Sequence, residues 1–236
     1  MTTKWRIQEG LADFENSAWE FELFPTQPDR FATVRSAADR IGSCWDVFSI
    51  AATGNDASTA SEAYIRGNDL IVRFEQSSHD QFAFQLLWRQ LSPQSPDQLA
   101  IELWISIQTG LLDATPTMDV CCQSLDKSAW QSFSQSVLTS AAFSSEASAL
   151  EIGPAALTSQ FGDMMGLWMI APSDQPHSRL QLVDAQPRIR LFGQFMEKGV
   201  IRRARMRFIA SQSIMTIDEI SNAYEEFCNS PLPLSA

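Results

Sequence analysis

The sequence predicts a mainly β fold: an antiparallel β-sandwich or partly closed barrel with one α-helix at its C-terminal end, an α+β arrangement being the alternative. Three observations lead there. Between Asp69 and Gln108, three stretches alternate apolar and polar residues with the period of two that a half-buried strand requires. Short clusters rich in Gly, Pro, Asn and Asp separate apolar stretches, as turns between strands do. A helix signal stands near the end of the chain, where Thr216 and Glu219 form a capping box ahead of a stripe of Ile217, Ile220, Tyr224 and Phe227.

Trp19, Phe21 and Leu23 alternate with acidic residues before a turn over Pro25 to Asp29. The extended pattern resumes from Phe31 to Arg35 and again from Cys44 to Ala51, and the small polar residues 52–61 read as a loop. Leu70, Val72 and Phe74 make a first apolar row, Phe82, Phe84, Leu86 and Trp88 a second, and Ile101, Leu103, Ile105 and Ile107 a third. The short connections between these rows imply an antiparallel meander. Residues 123–154 are rich in Ser and Ala. There the spacing of Trp130, Phe133 and Val137 predicts a helix over 128–138, with a surface excursion as the competing reading, and Gly153-Pro154 stops any continuation. A short strand from Leu167 to Ala171 leads into a turn at Pro172 to His177. Ile189, Leu191 and Phe195 on one arm and Ala204, Met206 and Phe208 on the other predict a hairpin closed at Glu197-Lys198-Gly199.

The 236 residues, 44% hydrophobic and 10% aromatic, hold enough apolar surface for a folded core and fit one large β-rich domain over 1–236. The N-terminal residues carry early charges and lack the apolar run of a secretory signal, and no stretch has the length of a membrane-spanning helix. The cysteines Cys44, Cys121, Cys122 and Cys228 include an adjacent pair poorly placed to bridge, which fits a reducing, cytoplasmic setting. A net charge of −11, with 28 acidic against 17 basic residues, disfavours nucleic acid and anionic lipid as partners of the whole surface and keeps an acidic chain in solution.

Motifs for serine hydrolase, nucleotide and dinucleotide sites are absent. His79 and His177, the only histidines, lie in polar turns without a second ligand at metal spacing, so neither a metal nor another cofactor is expected. Two patterns remain. If the apolar rows of the meander face the core, Arg73, Glu75, Gln85, Arg89, Glu102, Trp104 and Gln108 collect on the opposite face. Planar polar groups beside an indole suit a carbohydrate, so Arg73, Gln85, Arg89, Glu102, Trp104 and Gln108 are candidate ligand-binding residues of a non-enzymatic protein. The bland alternative is a covered indole and charges paired across strands. A sugar-active β-sandwich enzyme using Glu75 or Glu102 is a further reading.

The second pattern is electrostatic. Seven of the 17 basic residues fall within 188–207, with Glu197 the only acid among them. On a hairpin, Arg188, Arg190, Arg203, Arg205 and Arg207 would share one outer face and could dock an acidic protein partner or the acidic surface of a homodimer mate. Pairing with the chain's own carboxylates, including those of the C-terminal helix, is the bland counterpart.

Overall fold

The alternating stretches become strands that pair antiparallel throughout. The structure, a computed structural model, describes residues 4–37, 45–55, 59–124, 130–134, 137–140, 155–183 and 186–231. In chain order the strands are β1 (Arg6–Gln8), β2 (Leu11–Glu15), β3 (Trp19–Leu23), β4 (Ala32–Ser36), β5 (Trp45–Thr53), β6 (Ala60–Arg66) and β7 (Asp69–Phe74). There follow β8 (Ala83–Leu91), β9 (Gln98–Gln108), β10 (Asp113–Ala114), β11 (Thr117–Ser124), β12 (Trp130–Ser134), β13 (Val137–Ser140) and β14 (Ala156–Phe161). The last are β15 (Met164–Ile170), β16 (Arg179–Val183), β17 (Gln186–Phe192), β18 (Met196–Glu197) and β19 (Ile201–Ser211), before helix α1 (Ile217–Asn229).

Eight strands form one sheet in the order β1-β2-β3-β4-β5-β11-β17-β16, and nine form a second, β13-β12-β14-β15-β19-β9-β8-β7-β6. The two pack face to face as a sandwich, with α1 on the outer side of the larger sheet; there is no closed barrel. The expected apolar rows of the meander are all in the core between the sheets, against Phe21, Trp45, Val47, Phe48, Met118 and Ile189 of the smaller one. Indole N–H groups tie the layers together. Trp168 Nε1 on β15 donates to the Val47 carbonyl on β5 at 2.9 Å, and Trp19 Nε1 on β3 donates to the Asp97 carbonyl at 2.8 Å. Gly166 allows the first of these contacts, since a Cβ there would sit 2.9 Å from the Trp168 ring and 3.1 Å from that of Trp45.

Helix α1 begins as expected. The Thr216 hydroxyl accepts from the Glu219 backbone N–H, while the Glu219 carboxylate accepts from the Thr216 N–H. Its buried stripe is Ile220, Ala223 and Phe227, packed on Met165, Leu167, Met169 and Ile209; Ile217 is exposed instead of buried.

Two expectations are corrected. The helix expected over 128–138 is replaced by β12 and β13, as far as those residues are described. Trp130 and Phe133, three apart, lie on opposite faces of the sheet: Trp130 reaches Trp168 in the central core and Phe133 reaches Tyr224 of α1. A strand buried on both faces loses its alternation and mimics helical spacing. Residues 141–154 lie outside the described residues.

The hairpin expected over 188–208 does not form either, because β17 belongs to the smaller sheet and β19 to the larger. Phe192 and Gly193 both have positive φ, 67° and 83°, and turn the chain out of the first sheet. The chain then passes through β18, paired only with β10, before entering the second sheet.

Candidate functional site

Antiparallel partners stand opposite one another, so the outer face of the larger sheet can be read in rows running across β6, β7, β8, β9 and β19. The first row is Arg66, Asp69, Arg89, Glu102 and Arg207; the second is Tyr64, Ile71, Leu87, Trp104 and Arg205. The third is Glu62, Arg73, Gln85, Ser106 and Arg203, and beyond it Ala83, Gln108 and Ile201 continue the series. The three rows have different fates.

Ion pairs occupy the first row. Arg89 grips Asp69 with two bonds of 2.6 and 2.8 Å, and this hydrogen-bonded carboxylate holds the guanidinium more firmly protonated than usual. Glu102 Oε2 accepts from Arg205 at 2.8 Å and from Arg207 at 2.9 and 3.1 Å. Glu102, Arg205 and Arg207 are 2%, 5% and 3% exposed, so the group is desolvated and its pairing is obligatory. Two buried guanidinium groups exceed one carboxylate. The remainder is met by Glu226 of α1, 3.4 Å from Arg207, and by the end of the helix, where Arg205 donates to the Ser230 carbonyl at 3.3 Å. Helix α1 carries no basic residue in its last turn, so these arginines supply from the sheet the positive charge that favours a helix C-terminus.

In the second row, Trp104 is buried beside Ile71 and Leu87. The Arg205 guanidinium lies over its ring at 4.9 Å and over Phe227 at 4.4 Å. Its Nε1 donates to Glu102 Oε1 at 2.6 Å. The indole face expected to stack on a ligand is occupied by protein, which corrects that expectation for Trp104. Glu102 is equally closed to a ligand.

The third row is open. Arg73 is exposed and lies 3.6 Å from Glu62, while Gln85, Ser106 and Arg203 have no side-chain partner among the described residues. With Glu75 and Gln108 they line a groove of about 310 Å³ on the sheet's outer face. Its floor is rigid, being four adjacent strands with complete backbone pairing. Unspent amide, hydroxyl and guanidinium groups in register can bond a row of hydroxyls.

A larger cavity, about 660 Å³, opens at the sandwich end beside Phe14, Asn16, Asn68, Leu91 and Pro93. On its wall the Asn16 carboxamide is already committed, accepting from the Ala18 and Trp19 N–H groups and donating to the Gln98 carbonyl.

The structure brings Arg73, Gln85, Gln108 and Arg203 together around the groove. It locks Arg89, Glu102, Trp104, Arg205 and Arg207 into the packing. Arg188 and Arg190 lie on the other sheet, where Arg190 chelates Asp119 at 2.8 and 2.9 Å and Arg188 is 3.8 Å from the same carboxylate. The continuous arginine face thus divides between two sheets, and four of its five members pair with the chain's own carboxylates. Charges do pair across strands, but Arg73 pairs with Glu62 and Arg89 with Asp69 rather than with Glu75 and Glu102. Ser106 contributes to the row without having stood out in the sequence, since a lone strand serine carries no signal. Burial pushes the thiols of Cys121 and Cys122 up, against the direction that activates a nucleophilic cysteine. Among the described residues no cluster of three His, Cys, Asp or Glu side chains could hold a metal, and no helix is long and apolar enough to cross a membrane.

No protein-family model matches the chain, and no curated protein sequence does. Solved structures share its fold. A TPR-domain containing protein from Parabacteroides distasonis superposes with a TM-score of 0.54 at 10% identity, over 96% of this chain and 49% of that one. A galactose mutarotase related enzyme from Lactobacillus acidophilus superposes with a TM-score of 0.52 at 8% identity, over 86% of this chain and 99% of that one. The chain thus spans about half of the first protein and, over most of its own length, nearly all of the second.

Proposed function

We propose that the protein is a non-enzymatic carbohydrate-binding protein whose site is the open groove on the larger sheet. The observation that carries this reading is the in-register row Arg73, Gln85, Ser106 and Arg203 across four rigid strands. Each member offers hydrogen-bonding groups to a ligand with hydroxyls spaced along its length, and Gln108 extends the row. Affinity here comes from hydrogen bonds and shape, without the stacked indole of many sugar sites. Kinship of fold with a galactose mutarotase related enzyme supports a polyhydroxylated ligand. Catalysis by a carboxylate pair is disfavoured, because Glu102 is enclosed by two arginines and leaves Glu75 without a second acid in the groove.

Thermal unfolding in the presence of a panel of neutral oligosaccharides tests the reading, since a ligand of the native state raises the midpoint. A binding sugar should raise it in the parent and not in Ser106→Trp, which fills the middle of the groove. An absence of any shift, or a shift that survives Ser106→Trp in a folded variant, would overturn the assignment.

A further inference from the structure

We infer that the groove accepts an acidic oligosaccharide, with an anionic group of the ligand seated on Arg203. This inference rests on the carbohydrate reading above and adds the charge of the ligand to it.

Arg203 borders two cavities. Besides the groove, it lines a pocket of about 250 Å³ formed by Ser173, Asp174, His177, Gln194 and Arg202. It is also the one described arginine whose side chain makes no hydrogen bond, ion pair or ring contact. Arg6, Arg35, Arg66, Arg73, Arg89, Arg188, Arg190, Arg205 and Arg207 each have a carboxylate within 4.0 Å. Arg30 lies over Phe24, Arg179 donates to the Pro176 and Ser178 carbonyls, and Arg202 donates to the Phe195 carbonyl. In a chain of net charge −11, where carboxylates are plentiful, a guanidinium left free at the meeting of two cavities marks a place where an anion can be received.

The pocket wall next to it is built to donate. Arg202 donates to the Gln194 amide oxygen, and the Gln194 amide nitrogen contacts His177 Nδ1. A guanidinium only donates, so the amide orientation is fixed and Nδ1 must accept. The ring proton then sits on Nε2 of His177, one of the residues lining the pocket that holds Arg203. Each cavity also holds one carboxylate: Asp174, in the pocket, accepts from the Arg205 N–H at 2.8 Å, and burial raises its pKa from the usual aspartate value. Glu75, in the groove, extends from the end of β7, with β8 and β9 between it and β19.

Isothermal titration of matched neutral tetrasaccharides and tetrauronates at low and moderate salt tests the inference, with the parent, Arg203→Gln and His177→Phe. A tetrauronate should bind about tenfold more tightly than its neutral counterpart, with the advantage shrinking as salt rises. Arg203→Gln should erase that advantage, so that both ligands bind with one affinity at or below the parent's for the neutral tetrasaccharide, and His177→Phe should reduce it in part. Equal affinity for the two ligands, or a preference that survives Arg203→Gln, overturns the inference while the groove reading stands. Failure of every saccharide to bind overturns both.

Discussion

The Trp104 indole N–H donates to the Glu102 carboxylate at 2.6 Å, two residues along the same strand and on the same face. That bond fixes the ring beneath Arg205 and makes Trp104 part of the packing. Trp104→Ala should therefore lower stability by roughly 3 kcal/mol in urea unfolding, while saccharide affinity of the folded fraction is preserved. Loss of binding with unchanged stability would return the indole to the ligand site.

Among the described residues, Glu102 is the only carboxylate within 4.0 Å of the Arg205 guanidinium, it also pairs with Arg207, and both arginines are buried. Removing it leaves two desolvated charges facing each other, so Glu102→Ala should cost about 3–5 kcal/mol. Replacing Glu102, Arg205 and Arg207 together by apolar residues should cost much less, which a comparison of denaturant midpoints would reveal.

The β1–β2 hairpin closes through Glu9 and Gly10, both at positive φ, 50° and 81°. This is the geometry of a two-residue turn that prefers Asn-Gly, and Glu9 is exposed, so its side chain gives nothing in return. Glu9→Asn should stabilise the protein by about 0.5–1 kcal/mol, read as a higher unfolding midpoint.

Burial raises the pKa of Asp174 above the usual aspartate value, against the opposing hydrogen bonds from Arg205 and Ser173. The folded state therefore holds this proton more tightly than the unfolded chain, and stability contributed by the acid form is lost as pH rises through the raised pKa. Asp174→Asn keeps an acceptor for the Arg205 N–H but cannot ionise. It should leave the melting midpoint at neutral pH unchanged or higher and flatten the fall between the unfolded and folded pKa values. A marked destabilisation at neutral pH would show that the carboxylate charge itself holds the turn.

The sandwich was legible where one face of a strand is buried and the other is mixed, as for Leu70, Val72 and Phe74 against Asp69, Ile71 and Arg73. Alternation names the face but not what covers it. Nothing local to Trp104 indicates that a helix more than a hundred residues later brings Phe227 and Ser230 over its neighbour Arg205. The arginine run was visible as composition, yet its division between two sheets depends on Phe192 taking a left-handed conformation that phenylalanine does not advertise. The groove was half visible: Arg73, Gln85 and Gln108 follow from strand parity, whereas Arg203 joins them only because β19 pairs with β9.

That pairing also governs when the molecule can assemble. In the larger sheet, β19 lies between β9 and β15, and it is the last of the described strands. Until it emerges during synthesis, the meander β6 to β9 and the ribbon β12 to β15 have no edge in common, and the inner apolar rows of each wait on a strand not yet made. The last segment before the helix is thus a keystone whose arrival converts two partial sheets into one. Stalled or truncated chains that end before Ile201 would expose the β9 and β15 edges together, the condition in which unpaired strands recruit one another.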